Sequence, residues 1–278
     1  MEAALAEIDR LPGRHLFFLD DHLFGDPRFA AALFDGMRGM GRVWQAAATV
    51  QSVLAPHLLE KAASCGLRSL FVGFETLDPG NLRAQHKSHN LLANYERAIR
   101  RMHDHGVMVN ASFVFGMDED ETSVFERTTA WAIQHGIETA TFHILTPYPG
   151  TPLYARLKRQ GRILTDDWSL YDTRHAVAQP VHMTTQDLER GYRRAYELFY
   201  SWPSIVKGAW AHDRAIDGLR HLAYAGGWKK FEALWGMIIK AKQVASARPL
   251  LEAVLAGVNR RSHPTGFLSA ARARPWPS

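Results

Sequence analysis

Apolar and polar positions alternate along this chain in a recurring unit: a short apolar run, a turn made of glycine, proline or acids, then apolar residues at helical spacing. The clearest case is Asn110-Ala-Ser-Phe-Val-Phe-Gly-Met-Asp-Glu-Asp-Glu-Thr122, a strand delivering a polar loop to a helix. Ser69-Leu-Phe-Val-Gly-Phe-Glu-Thr76 comes before it, and Thr139-Ala-Thr-Phe-His-Ile-Leu-Thr-Pro-Tyr-Pro-Gly150 after it. Apolar runs at His15–His22 and Arg42–Thr49 complete five predicted strands, the first too apolar for a surface strand. Between them the spacing predicts helices over Phe29–Met40, Leu54–Cys65, Leu91–His105 and Glu121–His135. Intervals of this size suit βα units, so the pattern predicts a parallel α/β sheet with its chemistry at the strand ends.

Beyond Pro152 the pattern changes to a short helix, a Trp/Tyr connection and an extended piece near 175–181. A helix then runs from a Thr184 or Thr185 cap to Tyr200. From Ser201 the chain reads as helices broken at Gly226-Gly227 and at Pro249, with a final dozen residues that predict disorder. At 278 residues and 46% hydrophobic content the chain can bury a large core. Its charge is uneven, since 12 of the 33 Lys/Arg but only 4 of the 28 Asp/Glu fall in residues 201–278. That basic tail carries no nucleic-acid reader motif, so nucleic acid is not an expected partner. No run approaches the roughly 18 apolar residues of a membrane span, and the N-terminus is acidic rather than signal-like. One cysteine, Cys65, fits a reducing, cytoplasmic setting and excludes any thiolate cluster built from this chain.

Several side chains are candidates for chemistry. Asp20 and Asp21 are either strand-end ligands or the cap of the next helix. Glu75 follows a buried strand and must find a partner there. Of the acids 118–121, which suit a helix start, Glu119 is carried forward. His86 and His89 are spaced for a metal but lack a completing ligand, and His103-Asp-His105 reads as a helix C-terminus favouring cations. Cys65 reads as packing. Residues 228–239 present an apolar helical face edged by lysines. That face suits packing on the barrel, or peripheral contact with an anionic membrane through 228–242.

Taken together, several of these stretches resemble the radical S-adenosylmethionine (SAM) enzymes, in the branch that usually carries a cobalamin domain. Phe18-Leu-Asp-Asp-His-Leu-Phe24 is similar to the end of that family's second barrel strand, and Gly73-Phe-Glu-Thr76 to the end of its fourth. Lys87 and Asn90 match a Lys-x-x-Asn element. Val114-Phe-Gly-Met-Asp-Glu119 resembles its adenine-contacting pattern, with Ser112 standing where a glycine is usual. Leu145-Thr-Pro-Tyr-Pro-Gly-Thr-Pro-Leu-Tyr154 matches a proline turn after the sixth strand.

The resemblance implies an incomplete (β/α) barrel over 1–155, a barrel-associated extension over 156–200 and a helical basic appendage over 201–266, with a tail at 267–278. It implies SAM contacts at Asp20, Asp21, Gly73, Glu75, Thr76, Ser112, Gly116, Glu119 and Leu145. The parent chemistry it implies is reductive SAM cleavage to a 5′-deoxyadenosyl radical, with a [4Fe–4S] cluster, and often cobalamin-linked methyl transfer to a small or lipid-like substrate. The family's Cys-x-x-x-Cys-x-x-Cys loop is absent, and Met1 falls where the helix after it would be. The expectation is therefore a C-terminal portion, inactive alone, that pairs with a cluster-bearing half or descends from a split or decayed gene. An unrelated barrel using the strand-end acids with a divalent metal is the remaining alternative, against which stands the lack of a His/Asp ligand set in the sequence.

Overall fold

In a computed structural model, which describes residues 1–84 and 91–240 but not the side chains at 84, 91, 228 and 230–240, one parallel sheet organises the chain. Its strands are β1 (His15–Phe17), β2 (Val43–Ala48), β3 (Leu67–Glu75), β4 (Met108–Phe115) and β5 (Thr139–Ile144). They lie in sequence order, each pairing in parallel with the next. Successive parallel strands added on one side curl the sheet, and the result is the incomplete (β/α) barrel expected from the sequence.

The helices are α1 (Glu2–Arg10), α2 (Pro27–Met37), α3 (Val50–Leu54), α4 (Leu58–Ser64), α5 (Pro79–Ala84), α6 (Leu91–Asp104) and α7 (Val124–Gln134). They are followed by α8 (Pro152–Arg159), α9 (Thr185–Phe199), α10 (Trp202–Ala209) and α11 (Ala215–Lys240). By contact the chain divides into Met1–Trp228 and Lys229–Ser278, and of the second unit the structure describes only the end of α11. The side chains of the amphipathic 228–239 stretch with its membrane reading lie outside the described residues. So do Lys87, Asn90, His86, His89 and the tail. No described helix is long and apolar enough to cross a membrane.

Aromatic side chains fill the layer between sheet and helices. Phe74, Phe113 and Phe142, on adjacent strands, stack with ring centroids 5.8 and 5.9 Å apart, and Trp131 of α7 meets the first two edge-on. Burying each such ring contributes roughly 1.5–3 kcal/mol. At the start of β3, Gly66 has φ +106°, and a Cβ there would overlap the Arg42 carbonyl oxygen. Its own carbonyl accepts from Trp44 N–H at 3.0 Å, while the Trp44 indole N–H reaches the Cys65 carbonyl at 3.1 Å.

The two edges of the sheet differ. On β5, the Tyr200 hydroxyl accepts from Ala140 N–H (3.1 Å) and donates to the Ala140 carbonyl (2.9 Å). The Tyr196 hydroxyl treats Phe142 in the same way, at 3.0 and 3.2 Å, and Ile144 N–H donates to the Thr173 carbonyl at 2.7 Å. Tyr196 of α9 and Tyr200, which caps it, thus occupy the backbone groups a further strand would need. At the other edge, β1 pairs only with β2 among the described residues, and Phe17 and Leu19 are 58% and 82% exposed.

Three expectations are corrected. The first strand does not extend to His22 and is not buried: its ladder ends at Phe17, and Phe18 N–H makes the last bond, to Gln45. The helix predicted over 54–65 is two, because Pro56 disfavours helical backbone at Ala55 and His57 sits at φ +61°. Gly226-Gly227 does not break a helix, since α11 runs through both, and Gly226 leaves room for the Trp202 ring at van der Waals distance.

Candidate functional site

The C-terminal ends of β1, β2 and β3 open onto a cleft of about 520 Å³. That volume lies in the usual range for small-molecule sites. Asp20, Asp21 and Glu75 line it, with Thr49, Phe71 and Tyr95 among the other walls, and among the described residues no lysine or arginine does. Asp20, Asp21 and Glu75 put negative charge on the wall, while Phe17, Leu19 and Phe71 add carbon surface.

Glu75 is the most constrained of these residues. It sits at φ +64°, where a non-glycine residue costs of order 1–3 kcal/mol, and Thr76 N–H closes a three-residue turn over it to the Phe74 carbonyl at 2.8 Å. The β3–β4 register shifts at the same place. The Glu75 carboxylate folds back over Gly73, into the space a Cβ there would take, so a side chain at 73 would displace it. Tyr95 of α6 donates to the Phe74 carbonyl at 2.6 Å, and its phenol pKa is raised by burial and by the charge of Glu75. Tyr95 was invisible to sequence reasoning, being one aromatic among the apolar positions of an amphipathic helix.

Asp20 and Asp21 are exposed and make no hydrogen bond or ion pair with the described residues. Capping of α2 falls instead to Asp26, which accepts from Arg28 N–H and Phe29 N–H. The structure therefore brings Asp20, Asp21, Gly73 and Glu75 together in one cleft.

The other expected site residues do not line the cleft. Thr76 is buried, and its hydroxyl accepts from Asp78 N–H at 3.1 Å to start α5. Ser112 is buried in β4, paired with Gly73 and Thr141. Leu145 N–H donates to the Phe115 carbonyl at 2.8 Å. Glu119 is exposed, and its backbone N–H donates to the Asn81 side chain at 3.0 Å. Gly116 packs on Leu188 and donates its N–H to Asp120.

The buried acid of that loop is Asp120, at 0% exposure. Its Oδ2 accepts from Gly116 N–H (2.9 Å) and Met117 N–H (3.0 Å), and its Oδ1 from the Asn81 amide (2.8 Å). These bonds fix the turn after β4 to the start of α5. Asp118 beside it accepts from Arg156 and Arg162; although burial opposes it, the two guanidiniums hold its carboxyl below the usual value. Burial pushes the Asp120 carboxyl up to about 6, against the donors that favour its charge.

The folded state then keeps its proton to higher pH than the unfolded chain does, so this group's contribution falls as pH rises from 3.8 to about 6. Asp120→Ala, which removes three hydrogen bonds from buried donors, is expected to cost about 3 kcal/mol. Urea unfolding across that pH range should show the wild-type advantage shrinking as pH rises; an advantage that grows instead refutes the assignment.

Cys65 is buried, donates its thiol to the Ala62 carbonyl at 3.3 Å, and has its pKa pushed up to about 11 by burial. It belongs to the core, and no other cysteine exists in the chain.

No family model matches the chain. Over 190 residues it is 31% identical to the bacteriochlorophyllide d C-12(1)-methyltransferase of Chlorobaculum tepidum, covering 68% of this chain and 41% of that protein. Over 176 residues it is 30% identical to the hopanoid C-2 methylase of Rhodopseudomonas palustris, covering 60% of this chain and 33% of that one. Among solved structures, the radical S-adenosylmethionine methyltransferase TsrM from Kitasatospora setae aligns with a TM-score of 0.47 at 15% identity, over 58% of this chain and 30% of that one. The chain spans less than half the length of these relatives.

Proposed function

This chain is a relative of the radical SAM enzymes, and from that kinship we propose that its strand-end cleft forms the wall against which SAM lies in a methyl-transferring enzyme. The observation that carries the reading is the acidic cleft itself, with Glu75 held in a costly conformation at its rim. SAM bears a sulfonium and an ammonium, and three carboxylates in the wall suit both. When bound, SAM supplies an activated methyl group and, on one-electron reduction, radical chemistry. The chain's own residues bind and orient.

Glu75 accepts hydrogen bonds from the ammonium or the ribose hydroxyls, while Asp20 and Asp21 add charge from the facing wall. Phe17, Leu19 and Phe71 give the cleft the carbon surface that a large apolar methyl acceptor needs, of the kind named for the two relatives. Cobalamin is the methyl carrier the resemblance implies. A [4Fe–4S] cluster does not fit this chain's residues, since one buried thiol with a raised pKa is no ligand set. The cluster is therefore supplied from a segment or chain bearing the three cysteines, and the protein acts at a cytoplasmic, reducing potential.

Glu75→Gln tests the site, because it replaces a charge-assisted acceptor with a neutral one of equal shape. Its expected cost is about 1.5–3 kcal/mol of SAM affinity in the reconstituted enzyme. Calorimetry on the folded variant reads it directly, and unchanged affinity removes Glu75 from the site.

A further inference from the structure

At the other end of the sheet from the acidic cleft, three side chains from distant parts of the sequence converge. His103 lies in the last turn of α6, Glu138 immediately precedes β5, and His212 stands in the connection from α10 to α11. His103 Nε2 is 3.4 Å from Glu138 Oε2, and His212 Nε2 is 3.8 Å from Glu138 Oε1. One ligand atom from each residue falls within 4.8 Å of the others. We propose that His103 Nε2, a Glu138 carboxylate oxygen and His212 Nε2 bind a zinc-type divalent cation that ties the α10–α11 connection to the base of the barrel.

The distances favour a shared cation over direct ion pairs. Contacts of 3.4 and 3.8 Å are long for charge-assisted hydrogen bonds. Around a tetrahedral zinc with bonds near 2.0–2.2 Å, ligand atoms stand about 3.3 Å apart, so three atoms that lie within 4.8 Å of one another must draw together by up to about 1.5 Å. Two imidazoles and one carboxylate suit zinc, whereas magnesium and calcium prefer oxygen alone.

Burial supports the choice as well. The His212 and Glu138 side chains are 2% and 4% exposed, so a cation held there is shielded from water. Glu138 Oε2 is held in place by Val109 N–H at 2.8 Å, the supporting bond a ligating carboxylate needs. A void of about 10 Å³, near the size of one water, adjoins His103 and Glu138 and gives the fourth position room. Asp217 on its wall is paired with Arg220 at 3.0 Å. His212 Nε2 gives up its 3.2 Å contact with His221 Nδ1 when it takes the cation.

The test uses the full chain, freed of any affinity tag and stripped with a chelator. Titration with zinc is expected to load one equivalent and raise the melting temperature. Cobalt is expected to give the visible absorption of a tetrahedral ion, and magnesium to give neither change. His103→Gln, at the more exposed ligand, and His212→Gln should each weaken zinc binding by roughly 100-fold or more, beyond the 10–100-fold loss of a supporting partner. Substoichiometric zinc in the wild type overturns the proposal, as does tight binding that survives both substitutions. None of these readouts depends on SAM or an iron–sulfur cluster, so the outcome is separate from that of the proposed activity.

Discussion

Supplied anaerobically with iron, sulfide, SAM and a strong reductant, the chain by itself is expected to take up no [4Fe–4S] cluster and to release no 5′-deoxyadenosine. A cluster is held by several thiolates, and this chain has one thiol, buried against Ala62 and with its pKa pushed up to about 11. The strand edge at β1 adds a second expectation, because exposed Phe17 and Leu19 beside an edge that no described strand covers favour association of the isolated chain. Co-expression with a segment bearing Cys-x-x-x-Cys-x-x-Cys is expected to yield a uniform complex with visible cluster absorption and SAM cleavage. Iron content, sedimentation velocity and product chromatography measure the three. A cluster assembled by the isolated chain, with SAM cleaved, refutes the account.

The largest effect on stability is expected from Gly66→Ala. A φ of +106° is strained for alanine, at about 1–3 kcal/mol, and here the added methyl also overlaps the Arg42 carbonyl oxygen. That carbonyl belongs to backbone beside β2, so relief means moving strands rather than a side chain. The bonds from Trp44 to the Gly66 and Cys65 carbonyls would go with it. The combined loss should exceed about 3 kcal/mol, a large part of the 5–15 kcal/mol typical of a domain. Urea denaturation of the variant reads the difference, and a loss below about 1 kcal/mol would show that β2 and β3 shift apart without penalty.

Much of this was legible in the sequence because burial leaves a period. Strands 2 to 5 and the helix capped by Thr184 carry continuous apolar runs or helical spacing, and the structure returns them nearly as read. Glu75 was legible because a carboxylate at the end of a buried run needs a partner. What escaped reading depends on tertiary contact. Nothing local separates Asp120 from Glu119, yet only the first turns inward to three donors. The sequence pattern at 103–105 suggested a helix end, while Glu138 and His212, which give His103 its significance, lie far along the chain. Among the described residues, neighbours in sequence and the strand-end acids hold no such cluster, whereas the fold brings His103, Glu138 and His212 together at the opposite end of the sheet.

The tyrosines on β5 bear on how such chains can join. Open-ended polymers grow through two different complementary surfaces, and a sheet with both edges free offers them. Here Tyr196 and Tyr200 occupy one edge with their hydroxyls, so among the described residues the edge left for pairing through the sheet is β1. Pairing of β1 with β1 is self-complementary and closes on itself, so association of isolated chains through that edge is expected to stop at a twofold dimer instead of running on into a filament.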